Sequence, residues 1–138
     1  MDHKVNGNLS ALKRSRTWGQ NVTTYNRLVR DRIPEIIEAM GNAVVWKELD
    51  NEGFSRALLD TVMRASQQFS ETESLETLSD LFDAVDAWLE LKGLSMEEVA
   101  RARAEKRKRC GTYDGRRYLE VVADAQNLDV LASREQRC

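Results

Sequence analysis

Between residues 52 and 93 the apolar side chains fall twice into the spacing of an α-helix, with only a few polar residues between the two runs. Phe54, Leu58, Val62, Ala65 and Phe69 recur every three or four positions, which places one stripe of this segment against a core. Leu75, Leu78, Phe82, Val85 and Leu89 repeat the period after Ser74, a residue suited to accept hydrogen bonds from a helix N-terminus. Gly93 follows, where a left-handed residue closes a helix at little steric cost. Residues 70–73 are too few to do more than reverse the chain. The pattern therefore predicts two long antiparallel helices, 52–69 and 75–92, with facing apolar stripes.

The remainder of the chain is read around that hairpin. Pro34 suits the first turn of a short helix running to Met40 and stopping at Gly41. Ser95 and Glu98 have the spacing of a capping box and open a third long helix that runs through basic residues to Gly111. Residues 43–49, with Val44, Val45 and Trp46, favour an extended connector, although no partner strand is evident. Thr112, Tyr113, Asp114 and Gly115 are turn formers, and residues 118–122 read as a short strand or a last packed segment. Residues 1–24, rich in Asn, Ser, Thr and Gly without a period, read as a flexible arm, 25–122 as one helical domain, and 123–138 as a tail.

At 138 residues and 41% apolar content the chain is long enough for a core of its own. Its 21 basic and 23 acidic residues nearly cancel, so no overall field marks a nucleic-acid or membrane binder and any basic surface is local. No apolar run is long enough to span a bilayer. Cys110 and Cys138 show neither metal-ligand spacing nor a disulfide framework, and no secretory signal opens the chain, so a reducing, cytoplasmic setting is the expectation. His3 lies in the arm, and Cys110 has no base near it in sequence, so neither suggests nucleophilic catalysis.

The run Tyr25-Asn26-Arg27-Leu28-Val29-Arg30-Asp31-Arg32-Ile33-Pro34-Glu35-Ile36-Ile37 resembles the opening signature of a short branch of the MazG-like nucleotide pyrophosphohydrolases. The likeness continues through the hairpin, the Gly93-Leu94-Ser95-Met96-Glu97-Glu98 junction and the segment from Glu105 and Lys106 to Gly111-Thr112-Tyr113, and covers about residues 25–122. The resemblance implies an all-α hairpin bundle, assembled as a dimer or higher oligomer, that uses Mg²⁺ to cut nucleoside triphosphates between the α and β phosphates. Hard magnesium takes an octahedron of oxygens, which carboxylates from neighbouring helices supply. The family pattern is Glu-Glu-x-x-Glu on the first long helix and Glu-x-x-Asp on the second.

Here the first pattern falls on Arg64-Ala65-Ser66-Gln67-Gln68 and holds no carboxylate, and the second falls on Thr77-Leu78-Ser79-Asp80. Asp80, with Asp83 one turn further on, is what remains for a metal. Arg64, a cation where the pattern has a glutamate, is placed to pair with Asp80 across the hairpin, an attraction of about 4 kcal/mol before desolvation at about 4 Å and an effective dielectric near 20. Alternatively Arg64 clamps phosphate oxygens with its guanidinium.

Arg27, Arg30, Lys106, Arg109 and Arg116 are the other candidate phosphate-binding residues. Arg30 and Asp31 serve equally well as structural hydrogen-bonding groups at the turn into the first helix, and Asp80 and Asp83 as members of a solvated helix face with Glu76, Asp86 and Glu90. The basic run 101–109 is by default a solvated face, and phosphate binding ranks above nucleic-acid binding, for which Tyr113 and Tyr118 are sparse stacking partners. The leading expectation is a MazG-like protein that binds nucleotide or phosphate with impaired or lost hydrolysis. An active hydrolase with a rebuilt metal site, drawing on Asp60 or Glu76, and a ligand-free dimerisation module are the alternatives.

Overall fold

A computed structural model describes residues 22–124 together with the backbone of Val5 and Asn6. The described chain is mainly helical. In order it holds β1 (Val5–Asn6), α1 (Ile33–Ala39), β2 (Trp46–Lys47), α2 (Asn51–Thr72), α3 (Leu75–Lys92) and α4 (Met96–Cys110). None of these helices is long and apolar enough to cross a membrane. The chain divides into two compact units, residues 1–93 and 94–138.

The first unit is built on the α2–α3 hairpin. Asp50 caps α2 through its carboxylate, which accepts from the Gly53 N–H at 2.8 Å, and the helix runs three residues further than its apolar period, to Thr72. Glu73 then takes a left-handed conformation (φ 49°, ψ 36°) and donates its N–H to the Phe69 carbonyl at 2.7 Å. Ser74, extended, caps α3 by accepting from the Thr77 N–H. Two residues thus reverse the chain, and the helices that leave them pack along their lengths. Gly93 ends α3 at φ 68°, a region that costs glycine nothing.

Leu58, Ala65, Ala84 and Leu89 are the buried apolar residues of this unit. Two of the four are alanines, small enough for the helix backbones to approach closely. Phe54, Val62, Phe69, Leu78, Val85 and Trp88 are half-buried around them. The expected stripe on α3 holds at Leu78, Val85 and Leu89 and fails at its other two members: Phe82 is 60% exposed and Leu75 83% exposed, while Ala84, outside the stripe, is buried. The stripe is wider than one side of the hairpin covers, because a single neighbouring helix can bury only one narrow strip of an α-helix. Trp88 sinks far enough that its indole N–H has no hydrogen-bond partner among the described groups.

Ahead of the hairpin, α1 begins at Ile33 with Pro34 in its first turn and ends at Met40, before Gly41 at φ 88°. The connector predicted over 43–49 does find a partner strand: Trp46 and Lys47 pair antiparallel with Asn6 and Val5, inside the stretch read as an arm without structure. A ladder of two residues per strand leaves the protein mainly helical.

In the second unit, α4 is capped as its sequence predicts, with Ser95 Oγ accepting from the Glu98 N–H at 3.2 Å and the Glu98 carboxylate accepting from the Ser95 N–H at 2.7 Å. Residues 113–116 make the expected turn, closed by the Arg116 N–H on the Tyr113 carbonyl at 3.0 Å. Residues 118–122 form no strand and bury nothing; Tyr118 is 90% exposed and Val121 81%. The expectation of a short strand or packed segment fails there.

Leu58→Ala, which opens a hole between the two long helices, is expected to cost about 2–5 kcal/mol in urea denaturation. Trp88→Phe deletes an indole N–H that no group satisfies, and in the same measurement it is expected to cost under about 1.5 kcal/mol.

An arginine-bridged carboxylate pair as the candidate site

Three of the residues singled out by sequence, Arg30, Asp80 and Asp83, come together at one place, in a pairing that sequence did not assign. Asp80 and Asp83, three apart on α3, present their carboxylates on one side of the helix. Arg30, from the segment that precedes α1, reaches both: Nη2 lies 2.7 Å from Asp80 Oδ1 and Nη1 lies 2.8 Å from Asp83 Oδ2. One planar guanidinium therefore spans two carboxylates with a separate nitrogen for each, a geometry that a lysine ammonium cannot reproduce. The hydrogen bond to Asp80, then that to Asp83, raises the Arg30 pKa above its already high ordinary value. A guanidinium raised above its ordinary pKa is charged throughout the neutral range, so the contact keeps its cation there.

The three side chains stay wet, with 56% of Arg30, 41% of Asp80 and 54% of Asp83 exposed. At such exposure each ion pair contributes about 0.2–1 kcal/mol, and salt screens it. The contact is thus specific in geometry and weak in energy.

Arg64 does not cross to Asp80. Its guanidinium lies 2.9 Å from Asp60, one turn back on α2, where the i, i+4 spacing offers a carboxylate without any reach across the hairpin. Asp80 is already engaged by Arg30, so the predicted cross-hairpin pair is replaced by two others. Arg27 stacks its guanidinium over the Tyr25 ring at 5.4 Å from the centroid. Lys106, Arg109 and Arg116 belong to the second unit and are exposed. Cys110 is disulfide-bonded, against the expectation that the cysteines show no disulfide framework.

The positions that a metal-binding glutamate would take in the family pattern have other uses here. Ala65 is part of the core, and Thr77 joins a hydroxyl cluster with Thr72 and Ser74, each 2.9 Å from its Oγ1, that closes the hairpin turn. At the third glutamate position of the first pattern, Gln68 offers its backbone carbonyl to the Thr72 hydroxyl at 2.9 Å. Among the described residues no group of three or more acidic, histidine or cysteine side chains gathers as a metal site. Two carboxylates that already share a guanidinium do not fit an octahedral magnesium ion, which asks for more oxygens and no cation at hydrogen-bond distance. An open cleft elsewhere in the first unit is lined by Asn51, Glu52, Ser55, Arg56, Leu91 and Lys92, none of them a residue singled out by sequence. Its Arg56 is paired with Glu52.

No protein-family model, no curated protein and no solved structure matches this chain.

A double-mutant cycle of Arg30→Gln and Asp80→Asn is expected to show a coupling of about 0.2–1 kcal/mol at low salt, shrinking toward zero at about 1 M salt. A cycle of Arg64→Gln with Asp80→Asn is expected to show none.

Proposed function

We propose that this chain is a MazG-like helical protein that retains a nucleotide- or phosphate-binding surface but has impaired or lost magnesium-dependent triphosphate pyrophosphohydrolase activity, acting as a regulator or sensor. The observation that supports the reading is the Arg30 guanidinium lodged between Asp80 and Asp83. A resident cation at those oxygens repels a divalent ion and leaves no acid free there to activate water. Hydrolysis between phosphates needs both charge neutralisation and a positioned nucleophile, and arginine supplies only the first.

Phosphate binding remains open to the same residues. The Arg30 contact is weak enough to exchange, since a polyphosphate offers a guanidinium stronger, bidentate acceptors than two half-solvated carboxylates. Arg27, three residues before it, stands on the same lead-in segment.

Self-association is the second part of the proposal. Leu59 and Met63 on α2, and Leu75 and Phe82 on α3, leave half or more of their area in water in the single chain. Four buried apolar residues make a thin core for helices of 22 and 18 residues. A second copy covering these faces adds the burial that the hairpin lacks, at about 25 cal/mol per Å² of apolar area.

Incubated with a panel of ordinary and modified nucleoside triphosphates and magnesium or manganese, the protein is expected to release no monophosphate or pyrophosphate while binding at least one nucleotide in calorimetry. Turnover that Asp80→Asn abolishes would show a rebuilt hydrolase, and the absence of any nucleotide binding would leave the interaction module. In light scattering the protein is expected to have the mass of two or more chains, and Phe82→Asp to shift it toward one.

A further inference from the structure

The second unit carries a feature that a nucleotide site does not use. In α4 the ten residues 101–110 hold Arg101, Arg103, Lys106, Arg107, Lys108 and Arg109 against a single acid, Glu105, in a chain whose overall charge is −2. All ten are exposed, and α4 has no buried residue anywhere along its length. Among the described residues no ion pair involves any of the six cations; the pairs formed are those of Arg30, Arg56 and Arg64.

The arrangement of these cations narrows what they fit. At 3.6 residues per turn they ring the helix, leaving no sector wider than about 100° without one. An amphipathic membrane helix needs a continuous apolar face opposite its cations, and α4 has none. A mononucleotide against Lys106 and Arg109, neighbours three apart, leaves Arg103, Arg107 and Lys108 unanswered. Duplex DNA in the B form is different. Its major groove, about 12 Å wide, admits an α-helix and flanks it with phosphates on both walls, so cations on opposite sides of one helix are engaged at once.

We propose that α4 is a docking element for duplex DNA, binding through the phosphate backbone. The energetics of the free helix agree. Arg103 and Arg107, at i, i+4, and Arg103 and Lys106, at i, i+3, repel one another with no partner to offset them. The Ser95–Glu98 capping box, the acidic first turn with Glu97 and Glu98, and the basic last turn all favour the helix despite that repulsion. Phosphates on both sides relieve the repulsion and release their counterions, which is where the affinity comes from.

The test uses the full chain, a fluorescently labelled 20-base-pair duplex, the matching single strand and vesicles containing anionic lipid. Anisotropy titrations between 50 and 200 mM salt are expected to show duplex binding whose logarithmic salt slope is about −4 to −5, as five or so phosphate contacts require. The triple variant R103Q/R107Q/K108Q keeps good helix formers in α4, and circular dichroism confirms that it folds. It is expected to lower duplex affinity at least about 10-fold at 50 mM salt and to flatten the slope by about 2.7, whereas R56Q, which removes an exposed cation from α2, leaves both unchanged. Absence of duplex binding at 50 mM salt would overturn the proposal. So would an affinity that the triple variant leaves intact, or tighter binding to the vesicles or to the single strand.

Discussion

The chain reversal at Glu73 and Ser74 is the constraint on which the first unit rests. Forty residues of helix have one way to bury their apolar sides, which is against each other, and a two-residue connection decides how they do so. The left-handed backbone at Glu73 turns the chain, and the extended Ser74 starts the return helix while satisfying one of its free N–H groups. Thr72 and Thr77 tie the two helix ends together through their hydroxyls. Everything placed on α3 is set by this turn, including the spacing of Asp80 and Asp83 relative to the lead-in segment that carries Arg30.

The candidate site is a case of carboxylates whose counter-ion is covalently part of the chain. A soluble ion is bound at a concentration and can be removed, whereas Arg30 is tethered to the chain and meets its partners at a fixed effective concentration. The site is therefore open to competition, since any other cation at these oxygens has to displace the guanidinium. Its solvent exposure keeps the threshold for exchange low. Arg64, Ala65 and Thr77 are each committed elsewhere: Ala65 lies in the core, Thr77 closes the hairpin turn and Arg64 is held by Asp60.

Local chemistry was legible in the sequence and distant chemistry was not. The helices α2, α3 and α4, the caps at Ser74 and Ser95, the stop at Gly93 and the start at Pro34 follow from patterns that lie within one or two turns of the chain. The periodicity identified which residues are apolar on each helix but not how far a single neighbour can cover them, so Phe82 and Leu75 were read as inward and face water. The strand partner of Trp46 and Lys47 lies about 40 residues upstream in a stretch without any strand period, and only the folded chain reveals it. Arg30 was legible as a candidate phosphate ligand or turn-fixing residue, but its bond to Asp80 spans 50 positions and leaves no trace in spacing. Arg64, by contrast, had a partner one turn away at Asp60, and the nearer carboxylate prevailed over the reach across the hairpin.

The length of chain between Arg30 and Asp80 also fixes when their contact can form. Closing a flexible loop of 50 residues costs on the order of 3.5 kcal/mol in chain entropy, beyond a constant, while an exposed ion pair returns about 1 kcal/mol or less. The pair cannot nucleate anything. The hairpin must assemble first, shortening the effective loop by folding it back on itself, and only then does the guanidinium meet its two carboxylates. Arg30 is a late arrival on the folding path, a fastening added to a structure already standing, and its partners spend the early part of every folding event uncovered.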